Sequence, residues 1–337
     1  MTSPTPAPSR RRLLSAGGAL GFGALLTACG GSGSAQSSGG SWEFTDDRGR
    51  TARSEGRPER IVAYISSAAA LYDYGITCDG IFGPSKQVKG RPGAQSGDLD
   101  TSGITSLGTA FGEFDIERYA KLRPQLLVSN MIPPPKLWYV PDGGAKRISA
   151  LAPSVGIKAA YTSLRTPLRR YDELARALGA DMRAKKVTEA KERFAKAERT
   201  LREAARKAGG LRVMAMSGDF DNMYVANPGP SADLSYFKSL GVHFIEGKTG
   251  KEGPFWEYVS WENADKYEAD LLMLDNREGA FTREQFAEKP VWKNLRAVQE
   301  DQVIPWATEE RYSYRGYAPV VERLAAALTK SRKLHRG

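Results

Sequence analysis

Histidine and cysteine are both scarce in this chain, with two of each among 337 residues. His243 sits in the strand-like run Val242-His243-Phe244-Ile245 and His335 in the C-terminal tail. No group of His, Cys and carboxylate therefore has metal-ligand spacing, and a directly bound metal ion is not expected. The same shortage disfavours a haem held by axial imidazole. Hydrolase chemistry also lacks parts. There is no Gly-x-Ser-x-Gly elbow, and Ser217 in Met216-Ser217-Gly218-Asp219 has no evident base. Disulfides are excluded if Cys29 is used otherwise, because only Cys78 then remains. Cys78, in the strand-like run Ile76-Thr77-Cys78-Asp79-Gly80-Ile81, reads as a small buried hydrophobe. Long apolar runs are missing as well. Residues 13–28 are too short and too rich in Gly and Ala to span a bilayer well.

What that short run does resemble is an address. Ser9-Arg10-Arg11-Arg12-Leu13-Leu14 gives a basic patch, an apolar stretch follows, and Leu26-Thr27-Ala28-Cys29 closes it with small residues. This is a secretory signal over residues 1–28. The approach to Cys29 resembles the lipobox of bacterial lipoproteins, which implies acylation of Cys29 at the new N-terminus. The arginines resemble a twin-arginine signal, yet an ordinary basic start has the same composition, so both export routes stay open. Residues 29–41 are a lipidated Gly/Ser tether with nothing to bury. Losing Arg10, Arg11 and Arg12 removes three of the ten excess positive charges. A basic chain held outside the cytoplasm points to anionic headgroups or an anionic ligand, not to nucleic acid. Most of the Lys and Arg alternate with Glu and Asp as solvated surface.

Folded sequence starts near Trp42, with about 300 residues, enough for one large or two medium cores. Strands are predicted at 61–65, at 76–82, and at 125–129 after Pro124; helices at 67–74, 115–122, 145–151 and 167–178. Pro133-Pro134-Pro135 forbids regular structure. The pattern resumes with strands at 211–216, 242–245, 271–274 and 302–305 and helices at 232–240 and 317–329. Strands separated by helices argue for parallel sheets flanked by helices. Between the halves, Val187, Ala190, Phe194, Ala197, Leu201, Ala205 and Ala208 recur at spacings of three and four. Residues 181–208 are therefore predicted as one amphipathic helix about 40 Å long, stopped by Gly209-Gly210. The expected organisation is an N-terminal lobe at 42–180, a bridging helix at 181–208 and a C-terminal lobe at 209–337.

Four blocks carry a family resemblance. They are Arg60-Ile61-Val62-Ala63-Tyr64; Phe114-Asp115-Ile116-Glu117 with Leu122-Arg123-Pro124-Gln125-Leu126-Leu127-Val128; Ser260-Trp261-Glu262-Asn263 with Ala269-Asp270-Leu271-Leu272; and Trp292-Lys293-Asn294-Leu295-Arg296-Ala297-Val298 with Val303. In this order, across residues 58–330, they resemble the iron–siderophore and vitamin B12 binding lipoproteins that feed ABC importers. Gln125 departs from the family's usual Asp. The resemblance implies an α/β fold of two Rossmann-like lobes joined by one long α-helix, with the ligand cleft between them and a motion of only a few degrees. It implies a monomeric binding protein, not an enzyme, with no cofactor, anchored by lipid on the outer face of the cell membrane. Glu117 and Glu262 fall where one Glu per lobe meets arginines of the permease dimer. A plainer reading also fits them, since an acid at a helix start is favourable anyway.

Loops after the strands should face the ligand. The expected ligand-binding residues are Lys86, Asn130, Trp138 and Tyr139 in the first lobe, and Tyr224, Phe255, Trp256, Arg277, Trp306, Arg311, Tyr312 and Tyr314 in the second. Aromatic faces suit the methylene linkers of hydroxamate chelates, while phenol, indole and one or two Arg reach the oxygens. Ferric siderophore of the ferrioxamine kind is the expected ligand. Lys86, Lys89 and Arg91 keep more anionic catecholate or citrate chelates open, and cobalamin remains an alternative. A lipid-anchored esterase opening siderophores is the alternative of another class, and it would need Ser217 as nucleophile.

Overall fold

Short apolar runs with no polar interruption become strands covered on both faces, as parallel sheets require. The computed structural model describes residues 40–85, 93–250 and 253–335. The signal, Cys29, Lys86, Lys89 and Arg91 lie outside them. An antiparallel hairpin opens the described chain, β1 (Trp42–Thr45) with β2 (Thr51–Ser54). Every residue of β3 (Ile61–Tyr64) is buried, and the chain runs directly into α1 (Ile65–Asp73). Then come β4 (Gly80–Phe82), β5 (Thr105–Ser106), α2 (Ile116–Lys121), β6 (Leu126–Met131), α3 (Ala145–Leu151), β7 (Ser154–Lys158) and α4 (Arg165–Ala177). Five parallel strands form the first sheet in the order β5-β4-β3-β6-β7.

The long helix α5 (Lys185–Ala208) has 24 residues, about 36 Å. Its stripe of Val187, Phe194, Ala197, Leu201 and Ala205 is buried, and Gly209 ends it at φ 58°. The expected first turn, from Asp181, is not helical. The Asp181 carboxylate accepts the Arg183 N–H at 2.9 Å and its carbonyl the Ala184 N–H at 3.1 Å. An Asp side chain that captures local N–H groups favours such a turn over helix.

The second lobe holds β8 (Arg212–Gly218), β9 (Asn222–Ala226), α6 (Ala232–Ser239), β10 (His243–Phe244), β11 (Trp256–Ser260), a 3₁₀ segment (Trp261–Lys266) and β12 (Leu271–Asp275). It ends with α7 (Arg283–Ala287), α8 (Pro290–Asn294), α9 (Arg296–Gln299), β13 (Val303–Trp306) and α10 (Tyr314–Lys330). Its sheet runs β11-β9-β8-β12-β13, with β10 beside β8. Strands β8, β12 and β13 are parallel, whereas β9 and β11 add an antiparallel edge. Helix α10 packs along α5, where Arg193 grips Glu322 through two bonds of 2.7 and 2.6 Å. One apolar core includes the first sheet, α5, α10 and one face of the second sheet; a second core covers that sheet's other face with Met214, Met216, Leu272, Phe286 and Trp292.

Three local expectations need correction. Cys78 is buried but lies in a loop, since only Gly80–Phe82 pairs as strand. Burial pushes its thiol up to about 12, which leaves it unreactive at neutral pH. Tyr224 and Trp256 stand on strands β9 and β11, not in loops. Strand β7 is absent from the pattern reading, because its central Gly156 breaks a short apolar run.

Candidate ligand cleft

A cavity of about 200 Å³ opens where chain segments leave the carboxyl ends of strands in both lobes. Ile132, Pro133 and Trp138 follow β6, and Ala159 follows β7. Arg277 follows β12; Thr308, Glu309 and Tyr312 follow β13; Ser231 to Asp233 start α6; Phe255 and Trp256 complete the wall. Pockets for drug-sized ligands commonly measure about 300–1,000 Å³, so the cleft is drawn in upon its own side chains.

Glu309 is what it closes on. One carboxylate oxygen accepts from Arg277 Nη1 at 2.6 Å. The other accepts from Trp138 Nε1 at 3.0 Å and from the Tyr64 hydroxyl. Tyr64 and Trp138 belong to the first lobe and Arg277 to the second, so one acid ties the lobes together. Arg277 is also paired with Asp275 at 3.0 Å. Burial works against its charge, yet the two acids hold its pKa above the usual guanidinium range. Burial, then Glu309, pushes the Tyr64 phenol well up, so it stays a donor. The Tyr64 ring is held closely by Gly83, at φ +99°, where a Cβ would stand 2.5 Å from the ring. Only glycine suits that backbone and that contact.

Aromatic rings form the walls. Trp256 leans on Trp306 with centroids 6.2 Å apart, and Trp138 meets Tyr139 at 5.6 Å and the exposed Phe111 at 5.3 Å. Trp306 is almost wholly buried and donates its indole N–H to Asp233 at 2.7 Å. Burial pushes the Asp233 carboxyl up to about 6, against the indole bond that lowers it. A raised folded-state pKa means that the group's stabilising contribution is fully present below the ordinary Asp value. That contribution is lost as pH rises through about 6. Wild type should therefore gain stability relative to Asp233→Asn when pH falls from 7 to 5. Urea midpoints of both proteins at the two pH values measure this, and a constant difference would contradict it.

Trp138, Phe255, Trp256, Arg277, Trp306 and Tyr312 thus come together on one cavity. Tyr139 stands one ring behind, tilted against Tyr64 with centroids 5.2 Å apart. Tyr224 is also behind the wall, 6.3 Å from Trp256, with its hydroxyl on Asp219. Three further expected residues also lie off the cavity. Asn130 is buried, donating to Ser66 at 3.1 Å and accepting from Tyr171 at 2.7 Å. Arg311 is buried in ion pairs with Asp73 and Glu310. Tyr314 starts α10 and packs on Phe194 of α5, 5.4 Å away. Lys86 lies outside the described residues. Tyr64 and Glu309 escaped the sequence reading: the first looks like the end of an apolar strand, and the second is one acid of an unremarked Thr-Glu-Glu. Glu117 lies in the first turn of α2, two residues after its cap Asp115, and Glu262 sits in the first turn of the 3₁₀ segment; both are exposed, and neither forms an ion pair among the described residues.

Two α/β lobes, a long linking helix and a concave aromatic cleft between them define a binding protein whose fold serves capture, not bond chemistry. The model of the periplasmic binding protein family matches residues 62–309, and the chain belongs to that family. It is 41% identical to DesE, a ferric-siderophore receptor protein from Streptomyces coelicolor. That match covers 87% of this chain and all of that one, with a TM-score of 0.84. It is also 25% identical over 277 residues to the Fe(3+)-citrate-binding protein YfmC of Bacillus subtilis, 80% of each chain. The catecholate-siderophore binding protein VctP of Vibrio cholerae shares the fold at 16% identity, with a TM-score of 0.60 over 86% of this chain and 99% of that one.

Proposed function

We propose that this chain captures a ferric siderophore, of hydroxamate and ferrioxamine-like type, and delivers it to an ABC permease. The observation that carries this is a cavity with indole and phenol walls and, among the described residues, a single guanidinium whose charge is already balanced by Glu309 and Asp275. Such a wall buries methylene linkers, and Arg277 offers N–H groups to iron-bound oxygens without demanding a full negative charge. The siderophore receptor that shares 41% identity supports the ligand class. Ferric citrate is the second reading, favoured by the citrate-binding relative. Titration of tryptophan fluorescence with ferric trihydroxamate, catecholate, citrate and cobalamin separates these. The trihydroxamate should quench at near-stoichiometric concentration, and no quenching by any ferric chelate would remove the proposal.

Delivery would take place outside the cytoplasm, with the chain held to the cell membrane through lipid on Cys29 and exported by either route. Glu117 and Glu262 would each meet a permease arginine, one per lobe, which fixes register more than it adds affinity. Replacing both with alanine should cut siderophore uptake by cells at least about tenfold, the scale of losing one charge-assisted contact or more. Chelate affinity of the purified variant should stay within twofold. Loss of chelate binding would instead place these acids in the cleft.

A further inference from the structure

We propose that Glu309 is a specificity-determining residue that makes the cleft discriminate against anionic iron chelates. This rests on the iron-chelate reading above and goes beyond it by naming what the site rejects. Among the described residues on the cavity wall, Asp233 and Glu309 are acids and Arg277 is the one base. Asp275 sits against Arg277 from below. A chelate approaching Arg277 therefore meets a guanidinium whose field is already cancelled, beside a carboxylate in the same small space. Glu309 is buried, and its two oxygens are fully engaged by Arg277, Trp138 and Tyr64. It cannot turn away from an incoming anion without breaking those bonds.

The consequences differ with the chelate. Iron-bound hydroxamate oxygens carry diffuse charge and need only donors, which Arg277 supplies through the N–H groups not bonded to Glu309 or Asp275. The carboxylates of ferric citrate would stand against Glu309 at short range, and like charges so placed across an interface disfavour the wrong partner. Glu309 thus occupies the position that an anionic ligand group would claim, and holds it for uncharged or cationic complexes.

Removing the charge and keeping the shape tests this. Affinities of wild type and Glu309→Gln are measured for a neutral ferric trihydroxamate and for ferric dicitrate. In the wild type the trihydroxamate should bind at least about a hundredfold more tightly. In Glu309→Gln that ratio should shrink about tenfold or more, through a gain in citrate binding. A ratio left unchanged, with both affinities moving together, would show a merely structural acid and overturn the proposal. Tighter citrate binding in the wild type would overturn it as well. Wild type that binds no ferric chelate at all would overturn the functional reading as well as this one. A second arm needs no variant. Three ferric complexes share one trihydroxamate head and carry a terminal amine that is free, acetylated or succinylated. Affinity should fall in that order, with the spread narrowing at high salt. The succinylated complex binding most tightly would overturn the charge filter.

Discussion

Arg311→Ala is expected to lose about 3–5 kcal/mol of stability while keeping the cleft walls intact. The guanidinium is buried at the junction of the lobes. Its Nε pairs with Asp73 at 2.7 Å, and its Nη1 with Glu310 at 3.1 Å. Asp73 belongs to α1 in the first lobe, where its side chain is only 3% exposed. It also accepts from the Ser313 hydroxyl at 2.5 Å. Without the cation, Asp73 loses its nearest charged partner, the situation in which breaking a buried pair costs most. Glu310, pushed up to about 7 by burial and drawn back by Arg311, would take up a proton more readily. Gly97 shows how tightly the group is enclosed. At φ +54°, any Cβ there would stand 2.2 Å from the guanidinium. Urea unfolding of variant and wild type gives the stability change, and a chelate titration gives the affinity. Undiminished stability with lost affinity would return Arg311 to the ligand site.

Trp256→Ala should weaken trihydroxamate binding about thirtyfold or more, which corresponds to about 2 kcal/mol. The indole lines the cavity beside Phe255 and stands against Trp306. It is only half-buried in the free protein, so the ring offers apolar surface that a linker can cover. Truncation removes that surface and leaves Trp306 bare toward water. Tyr224→Ala serves as the comparison. Its ring lies behind Trp256 and its hydroxyl is spent on Asp219, so a loss of less than threefold is expected. The same titration measures both, and a similar loss in the two variants would contradict the assignment of the wall.

Much of the frame was legible because period and burial agree. The stripe from Val187 to Ala205 repeats every three or four residues, and α5 buries it; Ala145–Leu151 and the β3 strand were equally clear. The antiparallel edge was not. Asn222–Ala226 and Trp256–Ser260 mix polar and aromatic residues, which reads as loop until they are seen paired to each other. Aromatics near strand ends pointed to Trp138 after β6 and to Trp306 at the end of β13, whereas Phe255 and Trp256 reach the same wall from the start of β11. Charge was harder to place. Arg277 and Arg311 look alike in sequence, each a lone Arg after a strand, yet only the first faces the cavity. The difference lies in Asp73, which is 238 residues away from Arg311 along the chain. Glu309 was illegible for the same reason, since its partners Tyr64, Trp138 and Arg277 come from three distant segments.

Iron itself offers the most direct measurement. A crystal of the protein with a ferric trihydroxamate, exposed at the iron absorption edge, yields one anomalous peak whose position needs no interpretation of the ligand. It should fall between the lobes, beside Arg277 and within reach of the Trp138 and Trp256 rings. A peak on the outer face of either lobe, or along the α5 and α10 surface, would contradict capture in the cleft.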